Sequence, residues 1–174
     1  PAPVINREQM AFVEREIFVP AIDAIRRDGI EYRGVLYAGV MLTPDGPKVL
    51  EFNCRFGDPE CQPLMMRLMG DLLEILWATA TGQLDTVEID FIDEVACCVV
   101  MCSGGYPGTY PKGKIIEGLD RIDPSDIHVF HAGTTTDGDG GVITNGGRVL
   151  GVTAMGDTLQ SARDAANAAC DQIS

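Results

Sequence analysis

The segment from Pro47 to Glu60 constrains this chain most. Read as a strand, Lys48 to Arg55 alternates with period 2: Leu50, Phe52 and Cys54 face one way, and Val49, Glu51, Asn53 and Arg55 face the other. One face is apolar, as a core requires. The opposite face lines up a carboxylate, an amide oxygen and a guanidinium. Adjacent carboxylate and amide oxygens suit Mg²⁺, a hard cation commonly shared with substrate phosphates. An arginine one step further suits a phosphate or acyl phosphate, whose oxygens match its planar fork. Three such groups on one face of a buried strand are costly to desolvate, so a binding role is the stronger reading.

Asp58-Pro59-Glu60 leads into an apolar-periodic stretch and predicts a helix start, with Asp58 as N-cap, Pro59 at the first position and Glu60 in the first turn. Such a start points free backbone N–H groups towards an anion. The alternative is purely local: Asp58 caps, and Glu60 complements the helix dipole.

The preceding run, Arg33 to Thr43, is continuously apolar from Val35 to Leu42 and predicts a strand buried on both faces. Thr43-Pro44-Asp45-Gly46 is a turn, so the two strands form an antiparallel hairpin. Before them, Phe12, Val13, Ile17, Phe18, Ile22 and Ile25 give a helical stripe from about Arg7 to Arg27, which Pro20 kinks or divides. After them, Met65, Met69, Leu72 and Leu76 continue a helix from Pro59 to about Thr81, ended by Gly82.

Beyond residue 86 short strands replace helices. They are expected at 94–103, around Ile115-Ile116 and at 127–134. Val142-Ile143-Thr144, the Asn145-Gly146-Gly147 turn and 148–154 are expected to form a hairpin, and Asp157 to Ile173 a closing helix. The boundary is placed near 82–94, giving an α+β chain with parts 1–85 and 86–174.

Other candidates are weaker. Asp137-Gly138-Asp139-Gly140 begins like a calcium loop, but Arg148 stands where that loop needs its bidentate glutamate, so a hairpin tip is expected. Gly104-Gly105-Tyr106-Pro107-Gly108 is explained as a turn. His131 reads as a hydrogen-bonded core histidine. The six cysteines form no C-x-x-C pair and, with two histidines, no zinc pattern; free, mostly buried thiols of a reducing compartment are expected. A net charge of −13 argues against nucleic acid and anionic membrane surfaces as partners, and no apolar run approaches the ~20 residues of a membrane span. No basic stretch followed by an apolar one opens the sequence, so no signal peptide is expected; the chain starts at Pro1 without Met and is expected to be cut from something longer.

Val35–Thr43, Gly46–Glu60, Gly105-Tyr106-Pro107-Gly108, Val129–Thr134 and Gly146–Ala154, in this order, closely resemble the phosphoribosylamine–glycine ligases of de novo purine synthesis. The resemblance covers almost the whole chain. It implies the later portion of an ATP-grasp domain followed by the family's carboxy-terminal β-rich domain, in a cytoplasmic enzyme. It implies ATP-dependent activation of glycine as an acyl phosphate and attack by 5-phosphoribosylamine, giving glycinamide ribonucleotide, ADP and phosphate.

By match, Glu51 and Asn53 bind Mg²⁺ or Mn²⁺ and the nucleotide, and Arg55 is the catalytic phosphate-contacting arginine. The loop of Asp58 and Glu60 lies near the substrates. The family's amino-terminal domain, adenine pocket and nucleotide-binding lysine have no counterpart here, and its usual basic ending lies beyond Ser174. Pro1-Ala2-Pro3-Val4 matches the segment just after the first half of the ATP-grasp module. The piece is expected to be inactive alone and to pack on the rest of its chain. No acidic residue of Val35 to Thr43 supplies a further metal ligand. Two alternatives stay open: another ATP-grasp carboxylate–amine ligase, and a non-catalytic module that kept the fold.

Overall fold

The computed structural model describes residues 5–174; Pro1-Ala2-Pro3-Val4 lies outside them. The chain forms two compact units, one from residues up to Gly57 together with Gly70–Ile89, the other from Asp58–Met69 together with Asp90–Ser174. A single cut does not separate them: residues 58–69 leave the first part of the chain to join the second unit, and the chain crosses back finally at Ile89/Asp90.

The first unit opens with α1 (Arg7–Val13), capped by a reciprocal pair in which Asn6 accepts from the Gln9 N–H and Gln9 accepts from the Asn6 N–H. A π-turn over Glu14–Phe18 carries it into α2 (Val19–Arg27). Pro20 therefore neither breaks nor divides the helix. It sits in the first turn of α2, where a missing N–H is tolerated, and the i→i+5 step just before it, with the Val19 N–H on the Glu14 carbonyl, absorbs the change of register.

The expected hairpin forms from β1 (Tyr37–Thr43) and β2 (Gly46–Asn53), but residues 33–36 are not strand. Arg33 instead donates to the Ala80 carbonyl in the last turn of α4 (Leu72–Thr81), where a cation complements the helix dipole. Nor is β1 buried on both faces. Among the described residues the sheet has two strands, and it leaves Met41 51% and Leu50 66% exposed; on α4, Leu73 (72%) and Trp77 (69%) are exposed too.

The expected helix from 59 to 81 is broken into α3 (Cys61–Arg67) and α4, separated by the short β3 (Leu68–Met69). Gly70 takes a left-handed φ of 97°, and Asp71 caps α4 by accepting from the Leu73 and Glu74 N–H groups. The Met–Leu periodicity runs across the break without recording it. Gly82 ends α4 in the left-handed conformation, as expected.

In the second unit β5 (Val95–Cys102), β9 (Arg148–Gly156) and β6 (Ile127–His131) form an antiparallel sheet with β9 in the centre. α3 and α5 (Leu159–Cys170) both pack on β5 and β9. Val149, Leu150 and Val152 of β9 meet Ala169 and Ile173 in the core. Ala162, Ala166 and Ala169, one helical turn apart, are fully buried and let the helix approach the sheet closely. Thr158 caps α5.

The hairpin expected between 142–144 and 148–154 is not formed. β8 (Val142–Thr144) pairs with β7 (Thr134–Thr136) around the Asp137–Gly141 tip, where Asp137 accepts from the Asp139 and Gly141 N–H groups, and β9 is claimed by β5 and β6. Around Ile115 there is only a bridge to Ile143. A two-residue β4 (Asp90–Phe91) pairs with β3. The six thiols are free, but none is more than partly buried, with Cys54 and Cys102 exposed. His131 is exposed rather than core, its Nδ1 3.0 Å from Thr134 Oγ1. Among the described residues no helix is long and apolar enough to cross a membrane.

Candidate metal–phosphate site

The site is built on β2, and its geometry depends on a bulge. Val49 pairs with Val40, whereas Glu51 pairs with Gly39, so Leu50 is the extra residue. Cross-strand partners share a face and neighbours alternate, so Val49 is moved to the face opposite Glu51. The simple alternation expected for 49–55 thus fails at Val49. What remains is a pair: the Asn53 side-chain amide donates to Glu51 Oε1 at 3.0 Å. Opposite them stand Gly39 and Tyr37. The glycine leaves room for the carboxylate as it now lies, since a Cβ there would fall 3.0 Å from Glu51 Cγ.

Arg55 does not extend the row. The strand ends at Asn53, and Arg55 sits in the following bend, where it donates to the Phe56 carbonyl at 2.8 Å. Asp58 does not cap a helix either. α3 starts at Cys61 with Glu60 as its N-cap residue and no side-chain cap. The Asp58 carboxylate is drawn away by Arg148, whose Nη2 lies 3.1 Å from Oδ2, while Gln62 Nε2 donates to Oδ1 at 3.2 Å. Asp58–Glu60 is a turn, with Glu60 exposed.

Burial, with a smaller contribution from the Asp58 charge, pushes the Cys61 thiol above its ordinary value. Burial also raises Cys98. Neither thiol is therefore an activated nucleophile. A cavity of about 520 Å³, lined by residues including Ile22, Ile25, Tyr32 and Leu36, lies in the first unit, and none of Glu51, Asn53 or Arg55 lines it.

The donor set of Glu51 and Asn53 fits a hard divalent cation: a carboxylate and, two residues on, an amide whose N–H holds that carboxylate and whose oxygen stays free of it, on the partly exposed end of a strand. Among the described residues no three His, Cys, Asp or Glu side chains cluster as a metal cage. A cation here would complete its shell from phosphates and water, the usual habit of Mg²⁺.

Three residues without a role in the sequence reading belong to this description. Gly39 leaves room for Glu51, Gln62 holds one oxygen of Asp58, and Arg148 holds the other. Arg148 had a signal: it is the one charged residue heading the otherwise apolar run Val149-Leu150-Gly151-Val152.

Comparison with known proteins defines the class first. Residues 1–61 match the ATP-grasp (A) domain of phosphoribosylglycinamide synthetase, and residues 96–174 match the C domain of the same enzyme. The chain belongs to the phosphoribosylglycinamide synthetase family, as a partial chain carrying segments of these two domains. It is 54% identical over 165 residues to a phosphoribosylamine–glycine ligase of Rhodopirellula baltica, covering 94% of this chain and 38% of that protein. It is 50% identical to the trifunctional purine biosynthetic protein adenosine-3 of Gallus gallus, over 96% of this chain and 17% of that one. The crystal structure of the phosphoribosylamine–glycine ligase from Thermotoga maritima superposes with a TM-score of 0.81 at 29% identity, covering 99% of this chain and 42% of that chain. The chain thus spans between a third and about two fifths of the length of the phosphoribosylamine–glycine ligases it matches.

Proposed function

We propose that the full-length protein joins glycine to 5-phosphoribosylamine at the expense of ATP, giving glycinamide ribonucleotide, ADP and phosphate through glycyl phosphate. The observation that carries this is the bonded Glu51–Asn53 pair at the end of β2, within the part of the chain that matches the ATP-grasp domain. Glu51 and Asn53 would hold Mg²⁺ or Mn²⁺. When bound, that ion supplies charge neutralisation for the nucleotide phosphates. Glu51 and Asn53 orient it; Arg55, just past the strand, supplies a guanidinium for the phosphate oxygens as charge develops in transfer. Asp58 and Glu60 belong to the loop that meets the substrates. Residues 1–85 are the later ATP-grasp portion, and 86–174 the carboxy-terminal domain.

The exposed Leu50, Met41, Leu73 and Trp77 are surfaces on which the remainder of the chain packs; the 174 residues lack most of the nucleotide contacts and are inactive alone. The composition suits a cytoplasmic enzyme. The test is ADP release by the full-length protein. It should require both glycine and 5-phosphoribosylamine and fall at least about 10²-fold in Glu51→Gln. Turnover with other amines but not phosphoribosylamine, or full activity in Glu51→Gln, would refute the proposal.

A further inference from the structure

Asp58 opens the loop assigned above to the substrates, and it is held from 90 positions further along the chain. One guanidinium grips it twice: Arg148 Nη1 donates to the Asp58 carbonyl at 3.0 Å, and Nη2 meets Asp58 Oδ2 at 3.1 Å. A single ion pair would leave the peptide free to rotate. Two bonds from a planar fork to the main chain and side chain of one residue fix both its place and its orientation. Gln62 holds the second carboxylate oxygen.

The backbone that carries Arg148 is itself held by two other segments. Ser103 donates from its hydroxyl to the Gly146 carbonyl at 2.7 Å and from its N–H to the Gly147 carbonyl at 2.8 Å. The Tyr106 ring lies against Gly147 so closely that a Cβ there would fall 2.2 Å from the ring. Gly133 donates to the Arg148 carbonyl at 2.9 Å and accepts from the Asn145 N–H at 2.7 Å; a Cβ on Gly146 would lie 2.8 Å from its Cα. Ser103 and Tyr106 on one side and Gly133, between β6 and β7, on the other therefore hold the Asn145-Gly146-Gly147 turn from which Arg148 projects. That arginine is 44% exposed at its side chain and its partner 43%, and half-exposed pairs contribute little to stability.

We infer that Arg148 is a positioning residue of the ligation: it acts through Asp58 and sets the Asp58-Pro59-Glu60 loop for the substrates, making the carboxy-terminal domain part of the catalytic device. This rests on the function proposed above. The experiment uses the full-length enzyme. Arg148→Ala should lower kcat about 10²-fold, the scale of a misplaced substrate-positioning group, with the KM for ATP within about threefold and a melting temperature within about 4 °C of the parent. Added guanidinium ion should restore part of the activity. Arg148→Lys, which keeps the charge but loses the fork, should remain impaired. Arg148→Ala combined with Asp58→Asn should lose less than the product of the two single losses, because both remove the ion pair, while the grip on the Asp58 carbonyl is lost only with Arg148.

Should Arg148→Ala not fold, Arg148→Lys and Asp58→Asn, alone and combined, carry the same comparison. An Arg148 variant retaining more than about a third of the parent kcat, or losses that multiply in the double variant, would overturn the inference. If the parent itself releases no ADP in response to glycine and phosphoribosylamine, the proposed function fails and this inference with it. If the parent responds and the Arg148 variants match it, only this inference fails.

Discussion

Replacing Gly39 by alanine separates stability from metal binding at one position. Gly39 pairs with Glu51 across the hairpin, and a Cβ there would sit 3.0 Å from Glu51 Cγ, while ordinary contact starts at 3.4 Å. The glutamate must therefore yield by about 0.4 Å, which an exposed side chain can do. Gly39 does not require a left-handed φ, so alanine adds no backbone strain and removes freedom from the unfolded chain, a gain of roughly 0.4–1 kcal/mol. The displaced carboxylate no longer meets the Asn53 amide as it does now, and Mg²⁺ tolerates little departure from octahedral geometry. A tenfold loss in Mg²⁺ affinity, about 1.4 kcal/mol, is the expected scale. Thermal melts of the full-length protein in chelator should show an equal or higher midpoint for Gly39→Ala. Calorimetric Mg²⁺ titration with nucleotide present should show weaker binding. Unchanged Mg²⁺ affinity would refute the reasoning, as would a melting temperature several degrees lower, since that would mean Glu51 cannot move aside.

Three further outcomes follow from the second unit. Val152, fully buried at the centre of β9, should cost about 2–3 kcal/mol when truncated to alanine, measured by urea unfolding. Thr158→Ala removes the acceptor for the Ser161 N–H at the start of α5 and should cost about 1 kcal/mol in the same assay, whereas Thr158→Ser should be nearly neutral. The Asp123 carboxylate accepts from the Ser125 N–H and hydroxyl, which lowers its pKa below the ordinary aspartate value. Its contribution is present above the unfolded pKa and is lost as pH falls through the lower folded one; an NMR titration should place its midpoint below 3.8, and Ser125→Ala should raise it.

Local chemistry was legible where one residue type decides the conformation. Thr43-Pro44-Asp45-Gly46 announced the hairpin, Gly82 the end of α4, and Asp137 with its glycines the β7–β8 tip. The Glu51–Asn53 pair was readable because residues two apart on a strand share a face.

What was hidden depends on partners. The bulge at Leu50 is a property of the β1–β2 register, and alternation by itself cannot register one extra residue. The break at Gly70-Asp71 was masked because the apolar spacing happens to continue through it, although a glycine followed by a capping aspartate is a stop-and-start signal. Asp58 has good capping chemistry, and a tertiary contact from Arg148 outcompetes it. The central place of β9 follows from pairing with strands distant in the chain.

The most direct measurement of the central claim is anomalous diffraction from crystals of the full-length protein grown with Mn²⁺ and a non-hydrolysable ATP analogue. A manganese peak bridged by Glu51 and Asn53 oxygens at about 2.0–2.3 Å, shared with the nucleotide phosphates, is the expected result. A manganese ion bound to the phosphates without either side chain would contradict it.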